Sequence, residues 1–242
     1  MFASHTKIVI VGAGSGIGRA VAATAAAAGA SLVLVGRRRE PLEATAALLS
    51  RHAPEVRVYP ADVTVEDEVA RLFEATGAFD HLACTATRAA PGRITTLDAT
   101  AVQQAFAAKL WAPVFLVKHG APHVAPTGSF TFFSGIRGAR PTAGTSTTSL
   151  VNGGLEAFAR AMAVELGPVR VNVISPGIVD SGPFWERLAP EARARMFESY
   201  ASTAPARRVG APEDIAAAAL FAMTNPFVTG TVIPVDGGGV LA

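Results

Sequence analysis

Four glycines and a run of arginines offer the clearest chemistry in this chain. In the stretch Lys7 to Gly18, KIVIVGAGSGIG, a β-branched run from Ile8 to Val11 leads into glycines at Gly12, Gly14, Gly16 and Gly18. Ile17 then opens a long alanine-rich segment of helical character. Strand, glycine turn and helix in that order set the unpaired N–H groups of a helix N-terminus beside a gap that only glycine leaves open. Backbone donors and the positive end of the helix dipole there can hold a diphosphate. Glycines also serve ordinary turns, and it is the strand before and the helix after that favour a nucleotide. Downstream, Ser31 to Val35 ends at Gly36-Arg37-Arg38-Arg39. In a dinucleotide site this point, ~20 residues past the glycines, lies over the adenosine ribose. A carboxylate there would accept from the ribose hydroxyls of NAD(H), whereas Arg37 or Arg38 can clamp a 2′-phosphate, so NADP(H) is the preferred cofactor. The competing reading is a solvated charge run opening the next helix, and Arg39 is read that way.

Further candidates fall at the ends of apolar strands. Asp62, in Ala61-Asp62-Val63, can cap the helix that follows or accept from the exocyclic amine of an adenine, and Thr64 competes for the capping role. Strand His81 to Cys84 ends in Cys84-Thr85-Ala86-Thr87, strand Ser129 to Phe133 delivers Ser134, and Val169 to Ile174 ends in Ser175-Pro176-Gly177. Lys109 lies amid Phe106, Leu110 and Trp111 in a segment, Asp98 to His119, whose helical period is interrupted by Pro113. A second long helix, Ser146 to Leu166, carries Gly153-Gly154 in its middle. Mid-helix glycines cost about 1 kcal/mol each relative to alanine, and close approach of another backbone would compensate. The five histidines fall at termini, helix ends or strand starts and read as surface or structural, and nothing in the spacing of His, Asp and Glu points to a metal.

The elements that must position these residues alternate strand and helix throughout. Helices are expected at Pro41 to His52, Val65 to Thr76 and Pro212 to Met223, with strands at Val56 to Tyr59 and Thr231 to Val235. Such alternation predicts an α/β chain with a parallel sheet covered on both faces. Ligands of such sheets sit outside the carboxyl ends of the strands at the topological switch. That rule collects Gly12 to Gly18, Arg37, Asp62, Cys84 to Thr87, Ser134 and Pro176 to Val179 into one cleft. Asp180 to Arg208, polar and proline-punctuated, suits a cover over it, and Phe184, Trp185, Leu188, Met196 and Phe197 can line a pocket for an apolar substrate or serve as ordinary helix core.

Composition bounds the alternatives. The chain has 242 residues, half of them apolar, with no linker or charge block dividing it, which suits a single domain. A net charge of +2, with basic residues scattered among acidic ones, argues against nucleic acid. Val21 to Val35 is apolar but interrupted by Thr24, Gly29 and Ser31 and shorter than the ~20 residues of a membrane span. Met1 to Thr6 is too short and polar for a signal peptide. Cys84 is the sole cysteine, so a reducing, cytoplasmic setting is expected.

The order VGAGSGIG, ADV, a four-residue motif after the fourth strand, a strand-end serine, ISPG and a terminal PVDGG resembles the short-chain dehydrogenase/reductase family from Lys7 to Gly239. The resemblance implies a single-domain, Rossmann-like, doubly wound sheet holding both cofactor and substrate. It implies that Gly12, Ser15, Gly16, Ile17 and Gly18 hold the diphosphate, Asp62 and Val63 flank the adenine, and Pro176, Gly177, Ile178 and Val179 contact the nicotinamide. Thr85 and Ala86 join the cofactor wall. It also implies a homodimer or homotetramer built on the two long helices. The catalytic positions depart from the family pattern of asparagine, serine, tyrosine and lysine. Only Ser134 is unchanged; Lys109 stands at the asparagine position, Thr148 at the tyrosine position and Asn152 at the lysine position. Lysine and asparagine have changed places, by exchange or by drift, and the phenol is missing. The other tyrosines are Tyr59, in a strand, and Tyr200, in the cover. Three readings follow. Lys109, its pKa lowered by burial, serves as general acid in the reduction of a small or medium carbonyl compound, with Ser134 on the substrate oxygen. Or the chemistry needs little acid help. Or the protein binds NADP(H) without turnover, as a sensor or partner subunit. An ammonium snorkelling past Trp111 into solvent would exclude the first.

Overall fold

The computed structural model describes residues 2, 5–88, 90–182 and 185–242. Seven strands, β1 (Lys7–Val11), β2 (Ser31–Gly36), β3 (Val56–Pro60), β4 (Phe79–Cys84), β5 (Val124–Phe133), β6 (Arg170–Pro176) and β7 (Val232–Val235), form one parallel sheet. Its order is β3-β2-β1-β4-β5-β6-β7, so the winding reverses between β1 and β4. The carboxyl ends of those two strands part the loops into a crevice.

Both faces of the sheet are packed, as the near-continuous apolar strands require. Alternate side chains of β1 go to opposite faces: Ile8 and Ile10 join one core cluster, Val9 and Val11 the other. The first cluster is closed by α1 (Gly16–Ala27), α2 (Arg39–Leu49) and α8 (Pro212–Thr224). The second is closed by α3 (Glu66–Thr76), α5 (Ala112–Gly120) and α6 (Ser146–Glu165). These bounds match the sequence reading to within a few residues. β4 and β5 extend further toward their N-terminal ends than expected, to Phe79 and Val124, and α2 starts earlier, at Arg39.

The long segment from Asp98 onward is one rod in three parts: α4 (Ala99–Phe106), a π turn over Ala107–Trp111, and α5. Asp98 caps α4 by accepting from the N–H groups of Thr100 and Ala101. The π turn has a covalent cause. Pro113 has no N–H to give to the carbonyl four residues back, which is that of Lys109, and its ring crowds that carbonyl. The ladder widens there, and Lys109 sits on the widened turn.

Two glycine expectations come out differently. A Cβ at Gly154 would meet the Leu110 side chain at 3.1 Å, so the close neighbour is a side chain of the π turn and not a backbone, while at Gly153 nothing lies within 4 Å. The glycine turn at the start of α1 is tighter than either. A Cβ at Gly18 would lie 2.1 Å from the Gly12 carbonyl oxygen and 2.8 Å from Thr85 Oγ1, and Gly12 itself adopts φ +87°. Backbone atoms cannot yield as a flexible side chain does, so Gly18→Ala is expected to cost about 1–3 kcal/mol and lower Tm by several degrees in a calorimetric melt.

Candidate active site

The crevice at the strand ends is a cleft of about 780 Å³. One end is made of backbone. Gly12 and Ala13 donate their N–H groups to the Val35 carbonyl, at 2.8 and 3.3 Å, which ties the glycine turn to the end of β2. Ser15 is the N-cap of α1 yet its side chain caps nothing, so the first-turn N–H groups have no side-chain acceptor. Gly12, Ser15, Gly16, Ile17 and Gly18 all line the cleft, as do Thr85, Ala86, Asp62 and Val63. The Thr85 hydroxyl is already committed, donating to the Val11 carbonyl at 3.0 Å and wedged against Gly12 and Gly18. Its part here is to hold the turn.

Arg37 and Arg38 are exposed at the rim and line the same end. Neither lies within salt-bridge distance of a described carboxylate, whereas Arg39 pairs with Glu43 at 3.5 Å. Asp62 does not cap α3: its Oδ1 accepts from the N–H (3.0 Å) and O–H (2.7 Å) of Thr64, and the N-cap of α3 is Val65, so neither Asp62 nor Thr64 takes that role. Pro176, Gly177 and Val179 line the cleft, but Ile178 does not. The Ile178 carbonyl accepts from the Gly210 N–H at 2.9 Å, which ties this residue to the chain before α8.

The other end is made of side chains. Lys109, Ser134, Thr148 and Asn152 line it together. Lys109 is only 7% exposed, and its Nζ donates to the Ser134 carbonyl at 3.2 Å. Asn152, 2% exposed, comes from the facing helix α6 and donates Nδ2–H to the next carbonyl, that of Gly135, at 3.2 Å. The two positions therefore converge on consecutive peptide groups beyond β5. Burial pushes the Lys109 ammonium down to about 8, against the opposing pull of Cys84 and Glu156. The ammonium does not snorkel: Trp111, 56% exposed, stacks on Phe115 and carries no part of Lys109 to solvent. Ser134 Oγ is buried without a hydrogen-bond partner among the described residues, and Thr148 makes no hydrogen bond to them either. Burial also drives the Cys84 thiol up to about 11, so this cysteine is an inert neighbour of the site.

The cover is less apolar than its sequence suggests. Of the candidates after Asp180, Trp185 lines the cleft, its Nε1–H donating to the Val179 carbonyl at 2.5 Å. Leu188 and Met196 are exposed and do not line it, Phe197 packs edge-on against Trp185 beneath the Arg193 guanidinium, and Phe184 lies outside the described residues. The segment is helical over α7 (Pro190–Thr203), and Asp180 pairs with Arg193. Tyr200, on α7, donates its O–H to the Asp236 carbonyl at 2.5 Å, and neither it nor Tyr59 lines the cleft. His81 is buried at the far end of β4 against Ser129 Oγ (2.9 Å), and burial pushes it down to about 4. Among the described residues no group of His, Cys, Asp and Glu is placed to hold a metal ion, and no helix is long and apolar enough to cross a membrane.

A family profile described as Enoyl-(Acyl carrier protein) reductase matches residues 12–239. Over 224 residues the chain is 31% identical to a short-chain dehydrogenase/reductase, ATR9, of Stachybotrys chlorohalonatus, covering 85% of this chain and 84% of that one. The chain belongs to the short-chain dehydrogenase/reductase family. A solved small-chain dehydrogenase in complex with NADPH matches this short-chain dehydrogenase/reductase over 99% of its length and 100% of the other chain, with TM-score 0.83 and 34% identity. The MalC reductase/Diels-Alderase of Malbranchea aurantiaca matches over 99% and 98%, with TM-score 0.91 and 25% identity. This short-chain dehydrogenase/reductase is thus an oxidoreductase of a family that uses a nicotinamide cofactor. The residues present fit such a group: an uncapped helix start, a glycine turn that a Cβ would fill, and an orphaned serine hydroxyl at the opposite end.

The energetics of Lys109 yield a prediction. Removing a buried charge relieves its desolvation, at the cost of one hydrogen bond to the Ser134 carbonyl. Lys109→Met is expected to melt within about 1 kcal/mol of the parent or above it in a thermal denaturation, so that any loss of function in this variant is chemical and not structural.

Proposed function

We propose that the chain interconverts a small or medium carbonyl compound and its alcohol with NADP(H), and that Lys109 is the proton donor. The observation that carries this reading is a buried Lys109 amine, held in the cleft beside an unpartnered Ser134 hydroxyl, with no tyrosine among the described residues that line the cleft. Arg37 and Arg38, without carboxylate partners, would hold the 2′-phosphate; the glycine turn and Pro176 to Val179 would hold the diphosphate and the nicotinamide. When bound, the cofactor supplies the hydride.

The chain's own residues supply the rest. Ser134 Oγ donates to the substrate oxygen and orients it. Lys109, ionised below about 8, gives a proton to that oxygen as negative charge develops there, and the neutral amine regains its proton from water entering the cleft. Asn152 holds the Gly135 peptide in place, and Thr148 can hydrogen-bond the same oxygen but is too weak an acid to protonate it. A homodimer or homotetramer fits the large apolar side chains left exposed on the helical faces, Trp111 of the π turn and Leu150 and Val164 of α6. The buried free thiol suits a reducing, cytoplasmic setting.

Fluorescence titration with NADPH and NADH, followed by a carbonyl screen, tests this. NADPH is expected to bind at least about tenfold more tightly, with the advantage shrinking as salt rises and in Arg37→Ala and Arg38→Ala. Reduction requires the ammonium, so kcat should fall as pH rises through about 8 and oxidation of the alcohol should rise over the same range. Lys109→Met should lose about 10²–10⁴ in kcat. Tight NADPH binding with no oxidation of it across a broad panel would leave the binding-only role, and undiminished turnover in Lys109→Met would remove Lys109 as the acid.

A further inference from the structure

The reactive end of the cleft holds more positive charge than proton donation uses. Arg137 stands on the 3₁₀ turn Ile136–Gly138, three residues past Ser134, and lines the cleft together with Lys109 and Ser134. It is half-buried, and its one hydrogen bond goes to the Arg140 carbonyl at 3.3 Å. Arg88 lines the same cleft from the loop after β4. The described residues that line the cleft include a single carboxylate, Asp62, which belongs to the cofactor wall and already serves Thr64.

Neither nearby acid forms an ion pair with Arg137. Asp236, whose carbonyl takes the Tyr200 hydroxyl, spends its two carboxylate oxygens on the N–H groups of Gly238 (3.0 Å) and Val240 (2.9 Å). Glu156 sits behind Gly138, where its charge favours the Lys109 ammonium, and makes no salt bridge to a described residue. Arg137, half-buried and without an ion-pair partner among the described residues, lines a cleft whose one lining carboxylate belongs to the cofactor wall, an arrangement that a bound anion relieves.

We infer that the substrate carries a carboxylate, received by the Arg137 guanidinium while its carbonyl lies at Ser134 and Lys109: an oxo acid, or the matching hydroxy acid. The inference rests on the proposed reaction and narrows its substrate class. A planar two-pronged donor matches a carboxylate. The features suited to phosphate, the glycine turn, the uncapped helix start and the Arg37-Arg38 pair, all lie at the opposite end of the cleft.

The test is calorimetric titration of the NADP⁺-loaded protein with short straight-chain oxo acids, each paired with its methyl ester, and with glycerone phosphate. At least one acid should bind about tenfold or more tightly than its ester. That advantage should disappear in Arg137→Gln and return in part in Arg137→Lys, with NADP⁺ affinity within about twofold of the parent in both. The inference is overturned if no acid outbinds its ester, if the preference survives Arg137→Gln, or if only the phosphate ester binds. Failure of NADP⁺ itself to bind would instead strike the proposed cofactor, and the same comparison of acid and ester without cofactor still reads the Arg137 site.

Discussion

An ammonium kept inside a protein must be held by something, and in this chain it is held by one carbonyl. The bond from Lys109 Nζ to the Ser134 oxygen joins the π turn between α4 and α5 to the end of β5. Asn152 makes the matching bond from α6 to the next peptide. Consecutive carbonyls are thereby gripped from two helices, and the Ser134 side chain just before them is left with its hydroxyl unspent. The desolvation of Lys109 is the cost of this arrangement, and it is also what brings the amine close enough to neutrality to exchange a proton near physiological pH.

That grip exists because the helix is imperfect. An unbroken α-helix from Ala99 to Gly120 would carry Lys109 round its axis by a fixed 100° per residue. Pro113 removes a ladder bond and the turn over Ala107–Trp111 widens. Leu110, on the same turn, occupies the space that Gly154 leaves on α6, so the two helices lie close where Lys109 and Asn152 both reach the β5 loop. A defect in one element and a missing side chain in another together place two polar groups on adjacent peptides.

The two ends of the cleft are built on different physics. At the glycine turn the donors are main-chain groups whose positions follow from the backbone path, and any side chain larger than hydrogen at Gly18 would collide with Gly12. At the reactive end every functional group rides on a side chain, and what each one does depends on which neighbour it meets. Asp62, for example, is found serving Thr64, and Ile178 does not join the cleft lining. The apolar residues of the cover, open in the sequence to either role, divide between them: Trp185 lines the cleft, Phe197 packs against Trp185, and Leu188 and Met196 are exposed.

From the sequence alone came the order of elements, the parallel sheet and the family, because strands buried on both faces, glycine turns and proline breaks are written in local residue choice. The burial of Lys109, the pairing of its bond with that of Asn152, the orphaned Ser134 hydroxyl and the place of Arg137 on the cleft wall were decided by tertiary structure. Each depends on groups that lie apart in the chain, 25 residues for the Lys109 bond and 17 for that of Asn152. No local pattern encodes which of several possible partners a charged side chain will meet once the sheet and its helices have closed around it.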